Sequence, residues 1–165
     1  MPANGDRQLN RATASKPSKG EAHMVDILHR AGIGAPIEEV YKTLTTIEGN
    51  RAWWDSNATG DAAEGGILTF FKHDFRVVET TPNRRVRWKC VKGSPEWTNT
   101  EVTFDLVYKQ DQTFVLFKHA GWAEPVEFMH HCSTKWATFL LSLKQLLETG
   151  KGRPAPGEMQ VYVGG

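Results

Sequence analysis

The large apolar side chains of residues 124–147 fall at Phe128, Cys132, Trp136, Phe139, Leu143 and Leu147, in steps of four, four, three, four and four. Steps of three and four line one face of an α-helix, because a turn takes 3.6 residues. Pro125 suits a first helical turn, where a missing N–H costs nothing, and Gly150 can adopt the left-handed conformation that ends a helix. The spacing predicts one helix roughly 35 Å long, about the width of a small domain. From Ile67 to His119 the period is two. Val86, Trp88 and Cys90 interleave with Arg85, Arg87 and Lys89. Val102, Phe104, Leu106 and Tyr108 interleave with Glu101, Thr103, Asp105 and Lys109, and Val115, Phe117 and His119 oppose Phe114, Leu116 and Lys118. Strict alternation of this kind marks strands with one buried face.

The remaining strands are placed at 67–71 and 75–81, linked by Lys72-His73-Asp74. Turns are expected at Pro82-Asn83 and at 110–112, and 92–98 reads as a polar loop. Ahead of the meander, Ile27, His29, Ala31 and Ile33 share one face of a first strand at 25–35. Pro36 then opens a short helix with Ile37, Val40, Tyr41 and Leu44 on one stripe. A second short helix at 46–54 ends in Trp53-Trp54, and 55–66, punctuated by glycines and acids, reads as a loop. In residues 1–23 Leu9 stands almost alone as a large apolar side chain, so this stretch is expected to be a disordered tail. The domain is placed at 24–152, with 153–165 as a C-terminal extension. Strand, two short helices, about five antiparallel strands and a long helix make an α+β fold. Its curved antiparallel sheet has an apolar face that only the long helix is large enough to cover. A twisted sheet touches such a helix best along its middle, so a cavity is expected between them.

Composition narrows the function. With 20 basic against 19 acidic residues the chain has no basic stripe of the kind a nucleic-acid binder needs. No apolar run approaches the ~20 residues of a membrane span, and the N-terminus shows no secretory h-region. Cys90 and Cys132, on different elements, are expected to be reduced thiols in a cytoplasmic protein. His130-His131-Cys132 resembles a metal cluster, but adjacent helical residues point about 100° apart and cannot chelate one ion. Neither HExxH nor paired CxxC occurs, so no metal and no cofactor are expected. GxSxG, P-loop and GxGxxG motifs are also missing. His119 and Tyr108 remain as polar groups on an apolar face. Each is more often a satisfied core residue than a ligand contact.

A family resemblance rests on Trp53-Trp54, Gly65-Gly66, Glu79 with Pro82 and Arg84-Arg85, the Trp88 strand, and Glu96-Trp97 with Thr100-Glu101. It continues through Thr113, His119-Ala120-Gly121-Trp122, Trp136, Phe139-Leu140, Ser142-Leu143 and Glu148-Thr149-Gly150-Lys151-Gly152. Over residues 27–152 the chain resembles the START-like, helix-grip SRPBCC superfamily. Within it, the chain is similar to the branch named for the C-terminal domain of the heat-shock-protein-90 ATPase activator, labelled polyketide-cyclase-like in bacteria. The resemblance implies a cavity for a small hydrophobic or amphipathic molecule, and no invariant catalytic residue carries over.

The expected function is therefore binding of such a molecule. The cavity is expected to be lined by Trp53, Trp54, Trp88, Phe104, Leu106, Tyr108, Val115, Phe117 and His119 from the sheet side, with Phe128, Cys132 and Trp136 opposite. Two alternatives stand beside it. One is a cyclase-like or hydrolase-like enzyme using His119 or Tyr108 as acid or base. The other is a stress-related co-chaperone-like interaction module. No nucleic-acid or membrane partner is expected, and a homodimer is left open.

Overall fold

A computed structural model describes residues 25–164. The expectation for residues 1–23 lies outside the described residues. The chain runs β1 (Val25–Ile33), α1 (Ile37–Leu44), α2 (Ile47–Trp53), β2 (Thr59–Gly60), β3 (Ile67–Phe70), β4 (His73–Thr81), β5 (Arg85–Lys92), β6 (Glu101–Lys109), β7 (Gln112–Trp122) and α3 (Glu127–Thr149). The strands form one antiparallel sheet in the order β1-β7-β6-β5-β4-β3-β2. The fold is the α+β helix grip: a curved sheet, two short helices after the first strand, and a long C-terminal helix held against the concave face.

Alternation builds that face. Cross-strand partners Trp88 and Val102, Val86 and Phe104, Phe104 and Phe117, and Leu106 and Val115 stack in layers pointing inward. Arg85 and Arg87 point outward, where they pair with Asp105, Glu79 and Glu101. From α3, Cys132, Trp136, Phe139, Leu140 and Leu143 are buried against the layers. His29 Nε2 lies 3.0 Å from the Ser133 carbonyl and Lys144 donates to the Gly32 carbonyl at 2.6 Å, which ties β1 alongside the helix. Gly150 ends α3 at φ 86°, the left-handed region that glycine enters without steric cost.

Four expectations need correction. The segment 55–66 is not all loop, because Thr59–Gly60 pairs with β3 as a two-residue edge strand too short to show a period. His73 and Asp74 belong to β4, and the turn is Phe71-Lys72, with φ 49° and 63°. A two-residue type I′ link takes positive φ at both positions to match strand twist, and Gln110-Asp111 does the same at 56° each. Pro125 precedes α3 rather than entering its first turn, since the N-cap is Val126. Finally, Tyr108 lies on the inward-facing side of β6 but beyond the reach of the covering helix, and is 55% exposed. Period two identifies a face; it does not say how far along the strand that face is covered.

Cys90 and Cys132 are both free and buried, and burial pushes each thiol up to about 11.

Candidate functional site

The space expected between sheet and helix is filled. Trp54 is the hub: its ring lies 3.9 Å from Phe70, 4.8 Å from Trp136, and 5.6 Å from Trp88 in a parallel stack. Trp53 meets Phe104 edge-on at 6.0 Å, Phe104 meets Phe117 at 5.4 Å, and Phe117 meets Trp136 at 4.6 Å. Centroid separations of 4.5–7 Å are those of packed aromatic pairs. Trp53, Trp88, Phe104, Leu106, Val115, Phe117 and His119 are buried in the core, and none of them lines the pocket described below. Trp53 is oriented by Asn50, whose Oδ1 accepts its indole N–H at 3.0 Å while the amide nitrogen donates to the Leu44 and Thr46 carbonyls.

His119 is locked as well. Trp136 Nε1 donates to its Nδ1 at 3.0 Å, so in the neutral ring Nε2 carries the proton and donates to Thr100 Oγ1 at 2.8 Å. Thr100 in turn donates to the Trp97 carbonyl. Burial, with a smaller contribution from the charge of His73, pushes the imidazole down to about 3. His119 therefore holds Trp97 and Trp136 in place and touches no open space.

A pocket of about 250 Å³ opens at the mouth of the grip. One wall is the first half of α3, where Phe128, His131, Cys132, Lys135, Trp136 and Phe139 recur at three- and four-residue steps. The others are Trp54 after α2, Phe71 and His73 at the β3–β4 turn, Trp97 from the loop before β6, and Glu158 from the segment after α3. Of the residues expected from sequence, the structure brings Trp54, Phe128, Cys132 and Trp136 to this pocket, and Tyr108 lies in a separate surface groove beside Pro36 and Ile37.

Phe71 is held in its left-handed conformation by the buried Asp55, whose Oδ2 accepts the Phe71 backbone N–H at 3.2 Å. Its ring stands 5.7 Å from Trp54 and 5.9 Å from Phe139, across the opening. A bulky residue at positive φ is uncommon, and here the two-residue turn between β3 and β4 imposes it. Lys135 Nζ sits 5.6 Å over the Phe139 ring and 3.0 Å from Glu158 Oε1. Burial pushes the Glu158 carboxyl up, but the hydrogen bond and charge of Lys135, with a backbone N–H, outweigh it and hold the group below the usual glutamate range. Among the described residues no three His, Cys, Asp or Glu side chains converge as a metal site, and no helix is long and apolar enough to cross a membrane.

Comparison with known proteins agrees with this architecture. The family model described as Activator of Hsp90 ATPase homolog 1-like protein matches residues 34–148. The Aha1 dimer from Colwellia psychrerythraea, known from a solution structure, is 44% identical, with a TM-score of 0.71 over 78% of this chain and 99% of that one. CalU16 from Micromonospora echinospora is 25% identical, with a TM-score of 0.63 over 74% of each chain. DynU16, from the dynemicin biosynthetic locus, is 20% identical, with a TM-score of 0.63 over 77% of this chain and 48% of that one, a likeness of fold alone. No curated protein matches the chain.

Proposed function

We propose that this chain, which belongs to the Activator of Hsp90 ATPase homolog 1-like family, binds a small, flat, amphipathic molecule in the aromatic pocket at the mouth of its helix grip. The observation that carries the reading is the contrast between a filled interior and an open pocket walled by Trp54, Trp97, Trp136, Phe71 and Phe139. Small-molecule sites are mostly apolar with a few placed polar groups, and here Lys135, Glu158, His73 and His131 supply those groups. The volume, about 250 Å³, lies under the usual ~300–1,000 Å³ of drug-sized sites. A one- or two-ring compound fits it better than a fatty acid.

The test is intrinsic tryptophan fluorescence against a panel of small aromatic amphiphiles, because three indoles line the pocket. Saturable quenching is expected, and it should survive chelators. Phe71→Gly should weaken binding about tenfold, the equivalent of ~1.4 kcal/mol and within the range of one aromatic contact. It should lower the melting temperature only modestly, since glycine's relief of the φ of 49° offsets part of the packing lost with the ring. A flat titration across the panel would overturn the reading and leave the exposed apolar surface as the working face.

That surface favours a second reading, self-association. Leu28, Val107 and Leu116 are 65%, 40% and 43% exposed on the outer side of β1, β6 and β7. The 44%-identical relative is described as a dimer. Light scattering after size-exclusion chromatography should give twice the 18.5 kDa chain mass, and Leu28→Lys with Leu116→Lys should return it to the monomer value. A monomeric wild-type protein at high micromolar concentration would sink this reading.

A further inference from the structure

The segment following α3 lies outside the residues matched by the family, 34–148, yet it forms one side of the pocket. Its backbone is tied down on two elements. Arg153 N donates to Ser142 Oγ on α3 at 2.7 Å, and that hydroxyl itself donates to the Trp53 carbonyl at 2.8 Å. Ala155 N donates to the Trp54 carbonyl at 2.8 Å, and the Ala155 carbonyl accepts from Ser56 N at 3.0 Å and Ser56 Oγ at 2.8 Å. Gly152 packs so closely that an added Cβ would stand 2.5 Å from the Ala52 carbonyl oxygen, which fixes the point where the chain leaves α3. From these anchors the chain crosses back over the first turns of α3. It delivers Glu158 to Lys135, and the Tyr162 ring to 5.8 Å from His131.

The two oxygens of Glu158 are not equivalent. Oε1 is taken by Lys135. Oε2 is buried and, among the described residues, accepts no hydrogen bond from another residue, and the side chain, 14% exposed, lines the pocket. A buried acceptor without a donor is unfavourable, so a molecule that brings a donor to it is held more tightly. The Trp97 indole N–H, on a residue 8% exposed in the same pocket, is directed at the Cys132 thiol and finds no oxygen or nitrogen acceptor among the described residues.

We infer that the segment 151–164 is a strap that completes the pocket, and that the Glu158 carboxylate is its recognition group, accepting a hydrogen bond through Oε2 from a neutral O–H or N–H donor on an aromatic ligand. This rests on the reading that the pocket binds a small molecule. The charge environment selects the class. A ligand ammonium would meet the Lys135 ammonium, already 3.0 Å from the carboxylate and 5.6 Å from the Phe139 ring centroid. A ligand anion would meet the carboxylate itself. A neutral donor meets neither penalty.

The test uses two probes of nearly the same shape, 2-naphthol and 2-methoxynaphthalene, titrated calorimetrically into the full chain and into Glu158→Ala and Glu158→Gln. The methyl ether removes the donor and keeps the ring. Wild-type protein should bind 2-naphthol at least about tenfold more tightly than the ether, the scale set by an unmet buried hydrogen bond. Glu158→Ala should bring the two probes within about twofold by weakening the naphthol alone, whereas Glu158→Gln, which keeps an acceptor oxygen, should retain part of the preference. Equal binding of both probes by the wild type would overturn the inference and leave the pocket reading standing. A preference that persists in Glu158→Ala would also overturn it. Failure of both probes to bind the wild type would bring down the pocket reading and the inference together.

Discussion

Replacing Trp136 by alanine should lower the unfolding free energy by about 3–5 kcal/mol, the usual cost of emptying a large aromatic core site. Trp136 is 2% exposed and touches Trp54, Trp97, Phe117 and His119 at once. Its removal opens a void where sheet and helix meet, and the surrounding rings are too rigid to close it. It also strips His119 Nδ1 of its donor, and a buried acceptor left unmatched adds about 1–3 kcal/mol, so the loss should fall at the upper end. Trp136→Phe helps to separate the two contributions: it keeps an aromatic ring while losing the N–H and part of the indole's volume, so its loss should fall between zero and the alanine value. Urea denaturation read by far-ultraviolet circular dichroism gives both values. A loss under about 1 kcal/mol for the alanine variant would mean that the face α3 buries has been misassigned, since surface substitutions seldom exceed half of that.

The helix and the sheet were legible because periodicity reports which face of an element is buried. The apolar steps through Cys132, Trp136, Phe139 and Leu143 locate the buried stripe of α3, and the alternation in β5 to β7 locates the concave face. Periodicity carries no information about volume. Six tryptophans and eight phenylalanines were available to fill the grip, and whether they fill it depends on how rings from different strands interlock. Val115 and Phe117 alternate inward just as cavity walls would, and they turn out to be core. The α3 side of the pocket was half visible. Phe128, Cys132 and Trp136 came with the stripe, and His131, Lys135 and Phe139 lie on the same face by the same three- and four-residue spacing. Trp97 and Glu158 had no such signal. Each comes from irregular backbone, and its place in the pocket is set by distant anchors, the His119–Thr100 chain in one case and the Ser142 and Ser56 contacts in the other. The left-handed Phe71 is likewise a product of hairpin closure and the Asp55 carboxylate, which lies 16 residues earlier.

Lowering the pH from 6.5 to 4.5 should destabilise the protein by about 2–3 kcal/mol, and His119 should be the cause. In the folded chain burial holds this imidazole at about 3, whereas an unfolded histidine titrates near 6.5. Between those values the unfolded chain binds a proton that the folded chain refuses, so stability rises with pH across the window and falls as acid is added. The slope approaches ~1.4 kcal/mol per pH unit. Above about 7.5 both states are neutral at this site and the dependence vanishes. Geometry gives the same sign. A proton on Nδ1 would face the Trp136 N–H 3.0 Å away, turning a hydrogen bond into a clash of donors inside the aromatic core. The Glu148 and Glu158 carboxyls, both held below the usual glutamate range, contribute stability that is lost only as pH falls below about 4.5, and so do not account for a change above it. His119→Gln is the informative variant, because its amide oxygen can accept from Trp136 and its amide nitrogen can donate to Thr100 without titrating. Urea midpoints measured for both proteins at half-unit steps from pH 7.5 to 4.5 should fall steadily for the wild type below 6.5 and stay nearly level for the variant. A wild-type midpoint that is flat across that range, or a variant that tracks the wild type, would show that His119 does not refuse the proton. The locked arrangement of Trp97, Thr100, His119 and Trp136 behind the pocket would then have to be redrawn.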